Sequence, residues 1–257
     1  MLIQTEVTAP PVNRWLCYFK RNPKASLRLF CFPYAGANAI VYRNWAQKLP
    51  ANIEVVAVQL PGRGSRTREQ PLTNLLELVK LLGPALAGSL KEPFAFFGHS
   101  MGALVAFELS RWLRREGRAL PRHLFVSGRS APQLKPTHTP LYNLPNSELL
   151  KELQQLDGTP REVLEHPELM ELMLPLLRAD FSICDTYEYQ EAAPLACPIS
   201  VFGGFEDTDV PRENLEAWRE QTSSSFTLKM LPGNHFFLHS NETLLLDLLT
   251  IQLRPII

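Results

Sequence analysis

The stretch FAFFGHSMGALVAF, residues 94–107, decides the fold that this sequence predicts. A short apolar run is followed by Gly98-His99-Ser100-Met101-Gly102, and then by an apolar segment of helical period. This order is typical of a buried strand, a tight turn and a helix, in which the turn presents the serine above a sheet. Glycines are needed on both sides because side chains there would collide with neighbouring backbone. We predict a nucleophilic Ser100, with an ordinary glycine turn as the alternative.

The rest of the chain repeats this alternation of short apolar runs and helical segments, which is the pattern of βα units. The predicted strands are residues 27–33, 54–60, 94–98, 123–128, 198–203 and 226–231. The predicted helices are residues 39–49, 73–90, 101–117, 211–222 and 241–253. The sequence therefore predicts an α/β fold with a mainly parallel central sheet flanked by helices.

Residues 132–192 interrupt this rhythm between the fourth and fifth predicted strands. A helix is predicted over 146–156, ended by Asp157-Gly158-Thr159-Pro160. A second helix is predicted from about Pro167 to Tyr189, with a kink at Pro175. We expect this insertion to form a helical lid over the site, and a purely structural helical cap is the alternative.

Length and composition limit the classes of function. At 257 residues, with 45% hydrophobic and 20% charged residues, the chain fits one domain, residues 1–257. Lys+Arg and Asp+Glu balance at 26 each, so no overall field favours nucleic acid or an anionic membrane. No apolar stretch has the length of a spanning helix, and the N-terminus lacks the pattern of a signal peptide. The four cysteines lie far apart and lack the spacing of metal ligands, so we expect reduced thiols. We expect a cytoplasmic monomer that binds no nucleic acid, membrane, metal or cofactor.

A serine nucleophile needs a histidine base and a carboxylate that orients that base. His235 lies between the last predicted strand and the final helix, where it reaches the top of the sheet. His239 is the rival, although its place one helical turn later is more typical of a surface or capping residue. His123 and His166 are interpreted as structural, and His99 as a residue that packs beside the serine.

The acid is expected among three carboxylates that follow the strand predicted at 198–203. Asp207 is the predicted acid because it lies a short turn beyond that strand. Glu206 and Asp209 are expected to face solvent or to cap the following helix. Asp180 and Asp185, in the predicted lid, are weaker candidates.

Serine, acid and histidine then follow one another in the chain order of the α/β-hydrolase fold. We predict that fold, with Ser100, Asp207 and His235 as the catalytic triad. The tetrahedral intermediate of acyl transfer also needs hydrogen-bond donors. One is expected to be the backbone N–H of Met101. The other is expected from the loop after the first predicted strand, at Ala35 or else at the residue before it, unless that loop is a plain βα turn.

With these residues placed, the sequence resembles the type II thioesterases that accompany modular polyketide and nonribosomal peptide synthetases. The resemblance covers nearly the whole chain. It is carried by Phe32-Pro33-Tyr34-Ala35-Gly36, Gln59-Leu60-Pro61-Gly62-Arg63-Gly64-Ser65-Arg66, Phe96-Phe97-Gly98-His99-Ser100-Met101-Gly102, Gly158-Thr159-Pro160, Leu174-Pro175-Leu176-Leu177-Arg178-Ala179-Asp180-Phe181 and Gly233-Asn234-His235-Phe236-Phe237. The segment 174–181 lies in the predicted lid, which ordinary esterases would not share. Two small departures are Ala37, where a second glycine is common, and Thr208, where proline often follows the acid.

The resemblance implies hydrolysis of aberrant or stalled acyl groups from the phosphopantetheine arm of acyl or peptidyl carrier proteins. The partner would then be such a carrier protein. Because carriers are usually acidic, basic surface could contribute to docking. The candidates are Arg111, Arg114, Arg115 and Arg118 on one helix, and Arg63, Arg66 and Arg68 after the second predicted strand. A solvated helix face explains the first group equally, and structural ion pairs explain the second.

Three other functions stay open at this point. A thioesterase that terminates medium-chain fatty acid synthesis differs in its preference for longer acyl chains. A noncatalytic carrier-binding scaffold is disfavoured by an intact triad. Transfer of the acyl group to an alcohol or amine would use the same residues with a different acceptor.

Overall fold

The computed structural model describes residues 13–90, 93–136, 139–156 and 166–257. Within these residues, seven strands form one sheet in the order β1-β3-β2-β4-β5-β6-β7. The strands are β1 Leu16–Cys17, β2 Leu27–Phe32, β3 Ile53–Val58, β4 Phe94–His99, β5 Leu124–Ser127, β6 Ile199–Gly204 and β7 Phe226–Leu231. The edge pair β1–β3 is antiparallel, and the other pairs of this sheet are parallel. The predicted α/β fold with a mainly parallel sheet is confirmed.

Helices flank this sheet along the chain. They are α1 Trp45–Lys48, α2 Leu75–Ala87, α3 Met101–Arg115, α4 Asn146–Leu156, α5 Pro167–Asp185, α6 Arg212–Glu216, α7 Phe237–Ser240 and α8 Glu242–Leu253, with 3-10 helices at Ala39–Tyr42, Gly64–Arg66 and Ala217–Gln221. The helices predicted over 39–49 and 211–222 each divide into a 3-10 segment and a short α-helix. Across the described ranges, no helix has the length and apolarity needed to cross a membrane.

Each face of the sheet carries its own hydrophobic core. Phe30 and Phe96 belong to the cluster on one face, whereas their chain neighbours Leu29 and Phe97 belong to the cluster on the other. This alternation follows from the period of two in a strand, and burial of both faces explains why the strands read as continuous apolar runs. The helices α2 and α3 cover the first face, and α8 covers the second.

The segment between β5 and β6 contains the two predicted helices, α4 and α5. We call them the lid helices, and their role as a lid over the site stays a prediction. The two helices share a third, small cluster made of Leu149, Leu153, Met170, Leu174 and Leu177. The motif Gly158-Thr159-Pro160 and the loop predicted there lie outside the described residues.

The predicted end of the second lid helix at Tyr189 is wrong, because α5 ends at Asp185. The chain after it turns back onto the sheet domain. The Tyr187 hydroxyl donates to Glu108 Oε1 at 2.7 Å, and the Tyr189 hydroxyl lies 3.1 Å from Gln221 Oε1. These tertiary contacts end the helix where its sequence would have allowed it to continue.

Candidate active site

Ser100 lies in the turn between β4 and α3, in a strained backbone conformation. Its φ is 51° and its ψ is −115°, and it is the one non-glycine residue with positive φ in the described part of the chain. Such a conformation is costly for an L-residue and persists only where the surroundings enforce it. Here the Ser100 N–H donates to the Ser127 carbonyl at 2.8 Å, which ties the turn to the end of β5. The half-buried serine sits at the head of a 15-residue helix.

The two glycines of the turn are required by close backbone approach. A Cβ on Gly98 would lie 2.1 Å from the Gly102 carbonyl oxygen, and one on Gly102 would lie 2.1 Å from the Phe32 carbonyl oxygen. Neither neighbour can rotate away, because both are backbone atoms. The approach at Gly102 also brings the end of β2, and the loop that follows it, against the first turn of α3.

Asp207 and His235 form a direct hydrogen bond at the carboxyl edge of the sheet. Asp207 Oδ2 lies 2.7 Å from His235 Nδ1, and the two side chains are 1% and 13% exposed. The other oxygen of the Asp207 carboxylate accepts from the backbone N–H groups of Asp209 and Val210, at 3.1 and 3.2 Å. A carboxylate can only accept, so the His235 proton resides on Nδ1 and leaves Nε2 free to act as a base.

The His235 ring lies beside the serine turn. Its centroid is 5.0 Å from that of His99, the residue directly before Ser100. His235 Cε1 also lies only 3.3 Å from the place where a Cβ on Gly128 would stand. The structure therefore gathers the three residues of the predicted triad at one edge of the sheet, with two of them hydrogen-bonded.

His99 is fully buried beneath this histidine. Its Nδ1 lies 2.9 Å from Ser127 Oγ, and its ring packs edge-on against Tyr34 and Phe237. Burial, as the largest cause, holds its pKa well below the usual value of 6.5. His99 is consequently a neutral ring that supports the site, in agreement with its interpretation from the sequence.

The rival histidines lie in other environments. His239 is exposed, and its Nε2 is 2.9 Å from the Tyr34 hydroxyl. His123 is buried and its Nε2 is 2.8 Å from Ser200 Oγ, which is a structural contact. His166 is exposed at the start of α5, and His138 lies outside the described residues.

The rival carboxylates also lie in other environments. Glu206 and Asp209 are exposed, as expected. Asp185 Oδ2 accepts from the backbone N–H groups of Leu141 and Tyr142, which joins α5 to the start of the lid segment. Among the described residues, no group of three or more His, Cys, Asp or Glu side chains is arranged to hold a metal ion.

The loop after β2 makes a tight turn next to the serine. The Ala37 N–H donates to the Tyr34 carbonyl at 3.1 Å, and Gly36 has a φ of +77°. The strand register pairs Phe32 with Gly98, so this turn and the Ser100 turn leave neighbouring strands at the same level. Ala35 is half-buried in the loop, and Met101 is the first residue of α3, where backbone N–H groups have no partner within the helix. Met101 directly follows Ser100, and Ala35 lies in the loop at the end of the neighbouring strand. Their role as oxyanion donors stays a prediction.

Sequence reasoning missed the role of two charged residues near this turn. Asp180 was weighed only as a catalytic acid, and Arg63 only as a docking residue or an ion-pair partner. In the structure they form a buried ion pair, with Asp180 0% and Arg63 4% exposed. Their places in two motifs of the resemblance, at 59–66 and 174–181, were the one available signal.

Several of the arginines weighed for docking are buried as well. Arg66 pairs with Glu69, and Arg111 pairs with Glu108 at 2.7 Å. Structural ion pairs therefore explain Arg63, Arg66 and Arg111. Arg68, Arg115 and Arg118 are exposed.

The comparisons with known proteins agree with this geometry. A family model described as "Thioesterase domain" matches residues 27–251. The chain is 47% identical to a protein of Brevibacillus parabrevis named linear gramicidin dehydrogenase LgrE, over 94% of this chain and 93% of that protein. It is 45% identical to gramicidin S biosynthesis protein GrsT of Aneurinibacillus migulanus, over 96% of each.

A solved structure is similar over nearly the same length. The type II thioesterase BorB from the borrelidin biosynthetic cluster matches with a TM-score of 0.85 and 38% identity, over 93% of this chain and 97% of that one. The family-model match over residues 27–251 spans β2 to β7, the serine turn, α4 and α5, and the histidine loop. The chain therefore belongs to the thioesterase family and, within it, to the type II thioesterases with the α/β-hydrolase fold.

Proposed function

We propose that this protein is a serine thioesterase that clears aberrant or stalled acyl groups from the phosphopantetheine arm of acyl or peptidyl carrier proteins. The observation that carries the proposal is the 2.7 Å hydrogen bond that His235 Nδ1 donates to Asp207 Oδ2, in a chain of this family whose Ser100 has a strained backbone. The relatives named for gramicidin S biosynthesis and for the borrelidin cluster support a place in nonribosomal peptide or polyketide biosynthesis. The name of LgrE mentions a dehydrogenase activity. We propose acyl transfer for this chain, because Ser100, Asp207 and His235 are residue types of acyl transfer.

In this proposal Ser100 attacks the thioester carbonyl while His235 Nε2 takes the hydroxyl proton. Asp207 stabilises the imidazolium that forms. The tetrahedral oxyanion accepts hydrogen bonds from the N–H groups of Met101 and Ala35. The C–S bond then breaks, and His235 gives its proton to the departing phosphopantetheine thiolate. In the second half, His235 deprotonates water, water attacks the acyl-serine, and a carboxylic acid leaves as Ser100 regains its proton.

The carrier protein is the proposed partner, and it supplies the phosphopantetheine, so the enzyme needs no cofactor of its own. Among the arginines considered for docking, Arg68, Arg115 and Arg118 are exposed and could contribute, whereas Arg63, Arg66 and Arg111 are buried. Rim charges of this kind act mainly on the rate of encounter.

The test uses one carrier protein loaded separately with acetyl, medium-chain and long-chain groups, with p-nitrophenyl esters as comparison substrates. We expect the wild type to release short acyl groups from the carrier, and Ser100→Ala to lower kcat by at least about 10³-fold. Free acid should remain the product when an alcohol or amine is added, since acyl transfer would give an ester or amide instead.

The other outcomes separate the alternatives. Release restricted to medium or long chains would favour the chain-terminating thioesterase. Rapid ester cleavage with no carrier hydrolysis would overturn the carrier substrate while leaving the triad intact. Equal activity of wild type and Ser100→Ala would overturn the proposed nucleophile.

A further inference from the structure

The buried ion pair between Arg63 and Asp180 joins the lid to the rest of the molecule. Asp180 belongs to α5, and Arg63 lies in the loop after β3. The guanidinium holds the carboxylate through two parallel bonds, from Nη1 to Oδ2 and from Nη2 to Oδ1, each 2.7 Å long. This bidentate pair offsets the desolvation cost of two charges, neither of which could be buried alone.

The same pair holds the turn that contains Ala35. Asp180 Oδ2 accepts from the Gly36 N–H at 2.7 Å, and Arg63 Nη1 donates to the Ala37 carbonyl at 3.2 Å. The pair therefore forms hydrogen bonds with both a donor and an acceptor of the turn backbone. A third side chain, Gln59, connects the same two loops. Its Oε1 accepts from the Ala39 N–H, and its Nε2 donates to the Arg63 carbonyl.

The bond to Gly36 selects one conformation of the turn. With φ of +77° at its third residue, the turn is of type II, and its central peptide joins Ala35 to Gly36. In the alternative type I turn this peptide is flipped, so the Gly36 N–H would point away from the Asp180 carboxylate. The negative charge of Asp180 thus fixes the peptide that directly follows the proposed oxyanion donor.

Apolar packing from the same helix closes the remaining space. Leu177, one turn before Asp180 on α5, is 3% exposed. Its Cδ2 lies 2.7 Å from the place where a Cβ on Gly36 would stand. The lid helix therefore rests on the turn through a leucine and through a carboxylate, and the turn has no room to relax toward it.

We propose that Asp180 and Arg63 are positioning residues for the reaction. They hold the turn that presents the Ala35 N–H to the oxyanion, and they make α5 of the lid part of the support of the oxyanion hole. This inference rests on the proposed function in one respect, the assignment of Ala35 as a donor. Neither residue touches the substrate in this account.

The first test is Asp180→Asn, assayed on a p-nitrophenyl ester, which needs the oxyanion hole but no carrier protein. We expect kcat to fall by roughly 10- to 100-fold, part of the loss known for complete removal of an oxyanion donor, with KM changed less than about 3-fold. The affinity for a trifluoromethyl ketone, whose adduct with a serine carries an oxyanion, should fall by a similar factor. The acid limb of the pH profile should stay in place, because the His235–Asp207 pair is untouched.

The matched control is Glu108→Gln, which breaks another buried ion pair, that of Glu108 and Arg111, whose side chains are 3% and 5% exposed. That pair does not contact the turn, so its loss should lower thermal stability and leave kcat and ketone affinity unchanged. If Asp180→Asn behaved like Glu108→Gln, with only a stability loss, Asp180 would be merely structural and the inference would fail.

A second variant covers the case in which Asp180→Asn does not fold. The double change Arg63→Met with Asp180→Leu removes both buried charges and keeps apolar volume, which often preserves stability. We expect a folded protein with the same loss of kcat and of ketone affinity. Wild-type kcat in this double variant would overturn the inference. Failure of carrier hydrolysis in the wild type would instead contradict the proposed function. It would leave this inference intact, since the ester assay does not depend on the carrier.

Discussion

At the scale of single residues, burial decides the charge of the histidines that lie outside the proposed chemistry. His123 is 5% exposed, its ring stacks on Phe125 at 4.2 Å, and its Nε2 lies 2.8 Å from Ser200 Oγ. Desolvation lowers the pKa of His123 to about 4, below the usual 6.5. It is therefore neutral in the folded protein at pH 7, as His99 is beside the serine.

This predicts a loss of stability in acid. Between pH 6.5 and 4 the unfolded chain binds a proton at His123 that the folded protein does not, so stability falls as the pH falls through that window. Between pH 7 and 4.5 the wild type should lose about 2 to 3 kcal/mol more unfolding free energy than His123→Gln. Urea unfolding at the two pH values measures this difference. An equal loss in the wild type and in His123→Gln would contradict the lowered pKa of His123.

At the scale of elements, the packing of α2 on α3 depends on one glycine. Gly83 on α2 is buried against the indole of Trp112 on α3. A Cβ on Gly83 would lie 2.5 Å from Trp112 Cε3, inside the ring's contact distance. Helix propensity favours alanine over glycine, so the sequence alone would treat this residue as a weak point of α2. The tertiary contact reverses that judgement.

We expect Gly83→Ala to destabilise the protein by about 1 to 3 kcal/mol, the usual cost of overpacking a core. Gly88→Ala, at the C-cap of the same helix, is the matched control. No atom lies within 4 Å of the place where its Cβ would stand, and its φ is −67°. It should be neutral or stabilise by up to about 1 kcal/mol. Urea denaturation gives both values. Equal stability of the two variants would show that α2 and α3 can separate without cost.

The lid helices show the same dependence on context at their ends. The apolar period of the sequence runs on toward Tyr189, yet α5 stops at Asp185, because Tyr187 and Tyr189 bond to groups on the sheet domain. The start of α5 at Pro167 agrees with the prediction, since proline suits the first turn of a helix and fixes the boundary locally.

At the scale of the whole molecule, hydrophobic burial is uneven. Two clusters on the faces of the sheet draw residues from most of the described chain, whereas the lid cluster has five buried members among the described residues. Elements with few buried apolar contacts open locally at a lower free energy than the core. The second half of α5 differs from the first, because Asp180 and Ile183 are buried under the sheet domain.

Amide hydrogen exchange should follow this distribution. We expect α4 and the first half of α5 to exchange faster than α3, and the second half of α5 to be protected more nearly like α3. Leu153→Ala, at a residue 4% exposed in the lid cluster, should speed exchange in α4 and leave β4 unchanged. If α4 exchanged as slowly as α3 in both proteins, the lid would open only with global unfolding.

Much of this molecule follows from its sequence alone, because the deciding interactions are local or periodic. The six parallel strands begin and end within two residues of their predicted positions. The serine turn was predicted from residues 94–107, since its strain and its two glycines belong to one short segment between a strand and a helix. Asp207 and His235 were placed by chain order, and the structure joins them by a hydrogen bond. The catalytic roles of Ser100, Asp207 and His235 stay predictions, of which Ser100→Ala tests the nucleophile.

Only the tertiary structure decided how the lid meets the site. Arg63 and Asp180 are 117 residues apart, and apart from their places in two motifs of the resemblance, nothing local distinguishes them from arginines and aspartates that face solvent. The two-residue strand β1 was missed for a similar reason, because it is defined by pairing with Val58 and Ala57 and has no pattern of its own. The sequence determines local backbone preference and the chemistry that is available. Burial determines which charges must pair and which turn they hold, and burial exists only once the chain has folded.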